Sequence, residues 1–167
     1  CGARLTYNYM RIGGVMADIL PGFDRDVLRW ITHFEGMLDE FDRLMTGNRI
    51  TFERLSSLGV VTAEDAIAWG LVGPNMRASG VDFDVRRDLP YSVYSEFDFA
   101  VPLGTGKFGI TGDCFDRFWV RLLEMRESCK ILRQAIEGLP EGDFMAKVPR
   151  KIKPERDEAY AAVEAAR

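Results

Sequence analysis

Three cysteines and one histidine in 167 residues leave little from which to build a metal centre or an imidazole-driven active site. No Cys-x-x-Cys pair occurs, and His33 falls on the polar side of a predicted helix. The chain is therefore read as holding no zinc ion or iron–sulfur cluster of its own. Cys114 and Cys129 share one predicted helix, roughly 22 Å apart at a rise of about 1.5 Å per residue, too far to bridge each other. No Gly-x-Ser-x-Gly motif surrounds a serine, which removes triad hydrolysis. No apolar run approaches the ~18 residues of a membrane span. A net charge of −4 lacks the basic footprint that nucleic acid demands. An initiator methionine and a charged-then-apolar leader are missing too. The chain opens Cys1-Gly2-Ala3-Arg4 and runs at once into Leu5, Tyr7, Tyr9 and Met10. That start fits a piece of a longer polypeptide better than a lipidated terminus, which would continue as a polar tether.

What is present is an ordinary core. Hydrophobic residues make up 47% of the chain and charged residues 29%, which excludes disorder and fits one globular domain without disulfides. Two long helices are predicted. The first has Asp24 as its cap and Phe23 stapled on Leu28, runs to about Met45 and stops at Gly47. Its apolar stripe is Val27, Ile31, Phe34, Leu38, Phe41 and Met45. The second is capped by Asp113 and stops at Gly138-Leu139-Pro140 through a left-handed cap. Its stripe is Phe115, Phe118, Leu122, Met125, Cys129, Leu132 and Ile136, and the two helices are expected to pack at the shallow angle of bundles.

A shorter helix, Thr62 to Trp69, starts with a capping-box pattern and ends at Gly70. Glycine and proline punctuate the rest of the middle, where Val81–Arg86 and Phe97–Val101 alternate as short strands or extended loops. The fold class expected is mainly α, a helical bundle with long ordered loops and minor β content. Gly104-Thr105-Gly106-Lys107-Phe108-Gly109 lacks the ending of a phosphate loop and is read as a flexible surface loop. Lys147, Arg150, Lys151, Lys153 and Arg156, broken by Pro149 and Pro154, read as a solvated extended tail, with contact to an acidic subunit or lipid headgroups as the alternative.

Arginines and carboxylates collect in the Gly/Pro-rich loops: Arg4, Arg11, Arg77, Asp84, Arg86 and Asp88, with Asp113, Asp116 and Arg117 at the start of the second long helix. Two readings stand side by side. They staple loops by fork-like hydrogen bonding, or they surround a charged or redox centre supplied by a partner.

The runs Gly2-Ala3-Arg4-Leu5, Tyr9-Met10-Arg11-Ile12-Gly13-Gly14-Val15, Asn48-Arg49-Ile50, Gly59 to Ala66, Arg77 to Arg86, Pro90 to Tyr94, Gly112 to Arg117 and Glu124 to Ser128 are collinear along the chain. Together they resemble the D subunit of NADH-quinone oxidoreductase, respiratory complex I, a family related to the large subunits of nickel–iron hydrogenases. The resemblance implies a parent polypeptide longer at both ends. The family's quinone-headgroup His and Tyr would precede Gly2, so no catalytic residue is assigned in this chain. Residues 1–167 would then be a single helical domain cut from a longer subunit, with 140–158 an extended Pro/basic connector and 159–167 the start of a truncated segment.

The resemblance places Arg4, Thr6, Tyr9 and Arg11 near the quinone cavity and a terminal iron–sulfur cluster that a neighbouring subunit binds. Many members carry a His where this sequence reads Leu5-Thr6-Tyr7. A Thr6 hydroxyl can bond a sulfur but cannot titrate near neutral pH as imidazole does. Arg77, Asp84, Arg86, Asp113, Asp116 and Arg117 are taken as structural loop charges.

The implied function is a part in the quinone-reducing module of a proton-pumping NADH:quinone oxidoreductase. The parent complex would use NADH, quinone, FMN and iron–sulfur clusters held by other subunits, and the fragment alone would be inactive. Its partners would be the cluster-bearing subunit and the membrane-embedded quinone-channel subunit, at the cytoplasmic face of the bacterial inner membrane. The alternatives are a membrane-bound hydrogenase or formate hydrogenlyase large-subunit domain, marked by paired Cys-x-x-Cys motifs in flanking sequence, and a non-redox helical interaction domain. Surfaces cut free of their neighbours should remain apolar.

Overall fold

In the computed structural model, which describes residues 8–153 and 156–162, a small hairpin precedes a helical body. The hairpin is β1 (Met10–Arg11) and β2 (Gly14–Val15). The helices are α1 (Phe23–Thr46), α2 (Arg49–Leu55), α3 (Ala63–Ala68), α4 (Gly73–Ala78), α5 (Val85–Asp88) and α6 (Cys114–Glu137), with a 3-10 turn at Tyr94–Glu96 before the last. The fold is mainly α with minor β content, as the composition and spacing predict.

α1 and α6 run antiparallel. Glu35 meets Arg133 at 2.6 Å, Asp39 meets Arg126 at 2.8 Å, and the rings of Phe41 and Phe118 lie 5.9 Å apart, so numbers rise along one helix as they fall along the other. Those ion pairs are solvent-exposed enough to set register more than stability. The stabilising term is apolar: Ile31 and Leu38 of α1 and Phe115, Leu122 and Cys129 of α6 are buried.

α6 also packs against α4, through Arg121 to Asn75 and Glu124 to Arg77, and its Val120 and Ile131 are buried as well. Leu132, placed in the buried stripe by spacing, is 40% exposed, and Ile131 takes the buried position. A one-sided stripe underestimates a helix that is wrapped from two sides.

Two of the predicted caps of the long helices need correction, the start of α1 and the end of α6. α1 starts at Phe23, two residues before the start that a cap at Asp24 implies, with left-handed Gly22 as its cap residue and no side-chain cap bond. Asp24 lies inside the first turn with Asp26, where both oppose the positive end of the helix dipole. At the far end of α6, Gly138 sits at φ −91, so the cap is not left-handed. Pro140 already biases Leu139 away from helix, and no left-handed residue is needed to stop it. The caps at Asp113 and Thr62 form as predicted, with Thr62 Oγ1 accepting from Asp65 N and donating to Asp65 Oδ2, so the acid of the expected capping box meets the cap hydroxyl.

Of the two forms expected for 81–86 and 97–101, short strand or extended loop, the strand does not form, and 97–101 takes the extended one. Within 81–86 the Asp84 carboxylate accepts from Arg86 N and starts α5 instead. Residues 97–101 are extended but have no strand partner among the described residues. Asp98 N donates to Gln134 Oε1 and Ala100 N to Glu127 Oε2, so α6 side chains take the place of a neighbouring strand. Helices α2 and α4, and the hairpin, are not anticipated by the spacing of residues alone.

The loop 104–109, expected to be flexible, is tied down. Gly104 N donates to Arg77 O at 2.9 Å, and a Cβ at Gly104 would overlap the Ala78 carbonyl. Phe108 packs on Phe115, and Lys107 lies 4.7 Å from the Trp119 ring.

Two buried carboxylates gather these loops onto the start of α6. Asp113 accepts from Ser57 N, Ile110 N and Asp116 N, at 2.7, 3.1 and 2.8 Å. Asp116 accepts from Gly106 N and Gly112 N. Replacing Asp113 with Ala leaves three backbone donors, that of buried Asp116 among them, without their acceptor and should cost roughly 2–4 kcal/mol, with Asn recovering part of it. Urea denaturation checks this, and a loss under about 0.5 kcal/mol would contradict the account.

Candidate functional site

Two of the four residues expected near a redox partner, Tyr9 and Arg11, fall at the hairpin. Arg4 and Thr6 lie outside the described residues. Tyr9 stands at the base of β1 and Arg11 within it, paired with Gly14 across the hairpin. The register Met10↔Val15 and Arg11↔Gly14 leaves Ile12 and Gly13 as the tip.

Behind the hairpin the chain returns as a third extended piece. Val15 N donates to Phe144 O at 3.0 Å and Ala146 N to Gly13 O at 2.8 Å. The expected connector 140–158 therefore begins as a strand-like partner of β2. Gly13 and Gly14 both take positive φ, and a Cβ on either would collide with Val148 or the Phe144 carbonyl, so close approach demands glycine at both. Tyr9 closes the base, its hydroxyl donating to Ala17 O at 2.7 Å.

The outer edge of the hairpin is open. Met10 is 80% exposed, Ile12 is 71% exposed, and Arg11 between them is exposed as well. A cavity of about 360 Å³ lies beside it, with Tyr9, Ile19 and Phe144 among its walls and Asp18, Glu141 and Asp143 contributing acidic groups. The hairpin thus offers one cation flanked by two apolar side chains on a rigid, backbone-bonded support.

The remaining loop charges form a second constellation. Arg77 is 1% exposed and reaches Glu124 at 2.6 Å and Asp84 at 3.4 Å, while its Nη1 donates to Phe83 O. Arg86 grips Asp84 from the other side at 2.6 Å and lies over the Phe99 ring. Burial works against the Asp84 charge, but hydrogen bonds from the Arg86 side chain and backbone, with the charges of Arg77 and Arg86, outweigh it and hold this carboxyl below its ordinary range. Arg117 donates to Gly112 O and Gly59 O, and its Nη2 lies 3.0 Å from Cys114 Sγ.

The structure brings Arg77, Asp84 and Arg86 into one cluster and Asp113, Asp116 and Arg117 into another, both away from the hairpin in sequence. Glu124 has no role in the sequence reading. Its signal is an acid on the side of α6 opposite the apolar stripe, at a level where α4 needs a counter-charge. Among the described residues, no group of three or more His, Cys, Asp or Glu side chains is placed to hold a metal ion. Cys129 is buried and Cys114 stands alone at the start of α6, so neither supplies a thiolate pair.

The Asp84 pKa is depressed, so its stabilising contribution is present above the unfolded value near pH 4 and is lost as pH falls through the folded value. Replacing Arg86 with Gln should raise that pKa and start the acid loss at higher pH. Thermal melts across the acid range test this, and superimposable pH profiles for the two proteins would refute it.

The family described as respiratory-chain NADH dehydrogenase, 49 Kd subunit, matches residues 1–167. The chain is similar to the D 1 subunit of NADH-quinone oxidoreductase from Anaeromyxobacter sp. (strain K), at 58% identity over 167 residues, covering 100% of this chain and 44% of the relative. It is also similar to the D 2 subunit from Sorangium cellulosum (strain So ce56), at 53% over 170 residues, and to the D subunit from Clostridium beijerinckii (strain ATCC 51743 / NCIMB 8052), at 44% over 167 residues. Both alignments again cover 100% of this chain and 44% of the relative, so the chain spans less than half the length of the relatives it matches.

Proposed function

The chain belongs to the 49 kDa subunit family of respiratory-chain NADH dehydrogenase, and from that membership we propose that it forms part of the quinone-reducing module of a proton-pumping NADH:quinone oxidoreductase. In this reading it helps electrons pass from an iron–sulfur cluster on a partner subunit to quinone. The observation that carries it is the hairpin, which holds Arg11 outward between Met10 and Ile12 on a backbone-bonded base.

A neighbouring subunit that covers Met10 and Ile12 would strip water from Arg11 and strengthen its field. A guanidinium beside a cluster stabilises the reduced, more negative state and raises the potential, which favours electron arrival from upstream centres. NADH, FMN, quinone and the clusters would be held by other subunits or by parts of this subunit outside the chain. The chain by itself would turn over neither NADH nor quinone.

Among the described residues no helix is long and apolar enough to cross a membrane. We place the subunit peripherally at the cytoplasmic face of the bacterial inner membrane, between a cluster-bearing subunit and a membrane-embedded quinone-channel subunit. The names of the relatives favour the quinone branch over hydrogenase.

In the assembled complex, Arg11→Gln should lower the cluster potential and slow NADH-driven quinone reduction by about tenfold, equivalent to ~1.4 kcal/mol on the barrier. Reduction of an artificial acceptor that takes electrons upstream should not change, and Lys should restore part of the loss. An unaltered potential and an unaltered quinone rate would defeat the assignment. Thr6→His should make the potential fall with rising pH around the imidazole pKa of about 6.5, a slope absent from the parent. A flat potential in both proteins across that range would remove Thr6 from the cluster's surroundings.

A further inference from the structure

The cavity at the base of the hairpin carries charge of one sign only. Asp18, Glu141 and Asp143 stand among its walls, and no lysine, arginine or histidine lines it. Asp18 accepts the amide of Ile19, and among the described residues none of the three carboxylates is paired with a cation. Between the acids the lining is apolar, with Tyr9, Leu139 and Phe144 prominent in it.

That combination selects a group with an apolar stem and a cationic head. A carboxylate or phosphate is repelled, and a neutral apolar group takes water from the carboxylates without replacing it. A lysine or arginine side chain meets both demands. Its methylenes lie along the apolar lining while its head reaches the acids, and Tyr9 and Phe144 add aromatic surface that attracts a cation.

The chain's own bases do not fill this role. Phe144 is bonded to Val15 and Ala146 to Gly13, so the chain leaves the cavity toward the hairpin tip and carries Lys147 with it. The mouth of the cavity instead adjoins the face that a neighbouring subunit is proposed to cover. Tyr9 and Ile12 are three residues apart, about 10 Å along a strand, so a partner segment laid on Ile12 reaches the cavity within three or four extended residues.

We propose that this cavity is the socket for a basic anchor, a Lys or Arg side chain on an extended segment of the neighbouring subunit that covers Met10 and Ile12. The socket rests on the reading that a partner covers the hairpin, and it gives that partner a chemistry. Glu141 and Asp143 are exposed and accept no backbone hydrogen bond, so neutral substitutions there leave the fold intact.

The test is photo-crosslinking in the assembled complex, with a benzophenone amino acid in place of Leu139, which lines the cavity and is 47% exposed. Ile19, 43% exposed on another wall, is the second position should the first disturb assembly. The expected product joins this subunit to a peptide of another subunit that carries Lys or Arg within about three residues of the new bond. Glu141→Gln combined with Asp143→Asn should lower its yield about tenfold, whereas Glu141→Asp alone should keep most of it. A bond to another part of the same subunit, to a second copy or to lipid overturns the proposal. So does a partner peptide without a base, a yield indifferent to loss of both acids, or no cross-link from either position. The cluster potential is not read here. If Arg11→Gln shifts that potential and the cross-link fails, the socket falls and the redox reading stands; a partner cross-link with an unmoved potential has the reverse meaning.

Discussion

A guanidinium almost wholly removed from water must be met by acceptors on every side, and Arg77 imposes that demand on the middle of this molecule. Its side chain joins α4 to Glu124 of α6, to Asp84 and to the Phe83 carbonyl, while its own carbonyl receives the Gly104 amide. The 79–90 loop, the 104–112 loop and two helices therefore converge on one residue. Arg86 completes the charge balance on Asp84, so two cations face two anions in the cluster. Breaking such a set from one side leaves a buried charge without its counterpart, which costs far more than an exposed pair contributes.

The hairpin stands apart from this arrangement in how it is held. Its support is main-chain hydrogen bonding to Phe144 and Ala146 plus the Tyr9 hydroxyl on Ala17, and its outward side chains are exposed. Rigidity in the body comes from buried charge and apolar packing, whereas the hairpin is shaped by backbone geometry. That division lets Arg11 be replaced with little effect on the core.

Where one local signal decides the outcome, the sequence is legible. Asp113, Thr62, Gly47 and the 3–4 spacing of α1 and α6 each act within a turn or two, and they form the elements they announce. Where distant residues decide, it is not. Residues 97–101 alternate like a strand, yet their partners are Gln134 and Glu127, more than 25 positions away. Gly104 to Gly109 reads as loose because Asp113, Asp116, Arg77 and Trp119, which restrain it, are remote in sequence or separated by a turn. For the proposed site, the family resemblance singles out Arg11 and Tyr9 as candidates, but only the structure shows the Phe144–Ala146 backing behind their hairpin. Glu124 escapes notice because a single acid within a long helix usually faces water.

The extended stretch beside α6 has a consequence for how this region tolerates change. Asp98 and Ala100 are two residues apart, about 7 Å along an extended chain, while Gln134 and Glu127 are two helical turns apart, about 10 Å. The long Gln and Glu side chains span the mismatch, and they do so in opposite chain directions. Extended segment and helix are thereby locked in phase like two gears of unequal pitch. Substitutions on the solvent side of either can accumulate freely, but inserting or deleting one residue between Asp98 and Ala100, or between Glu127 and Gln134, would throw both contacts out of step together.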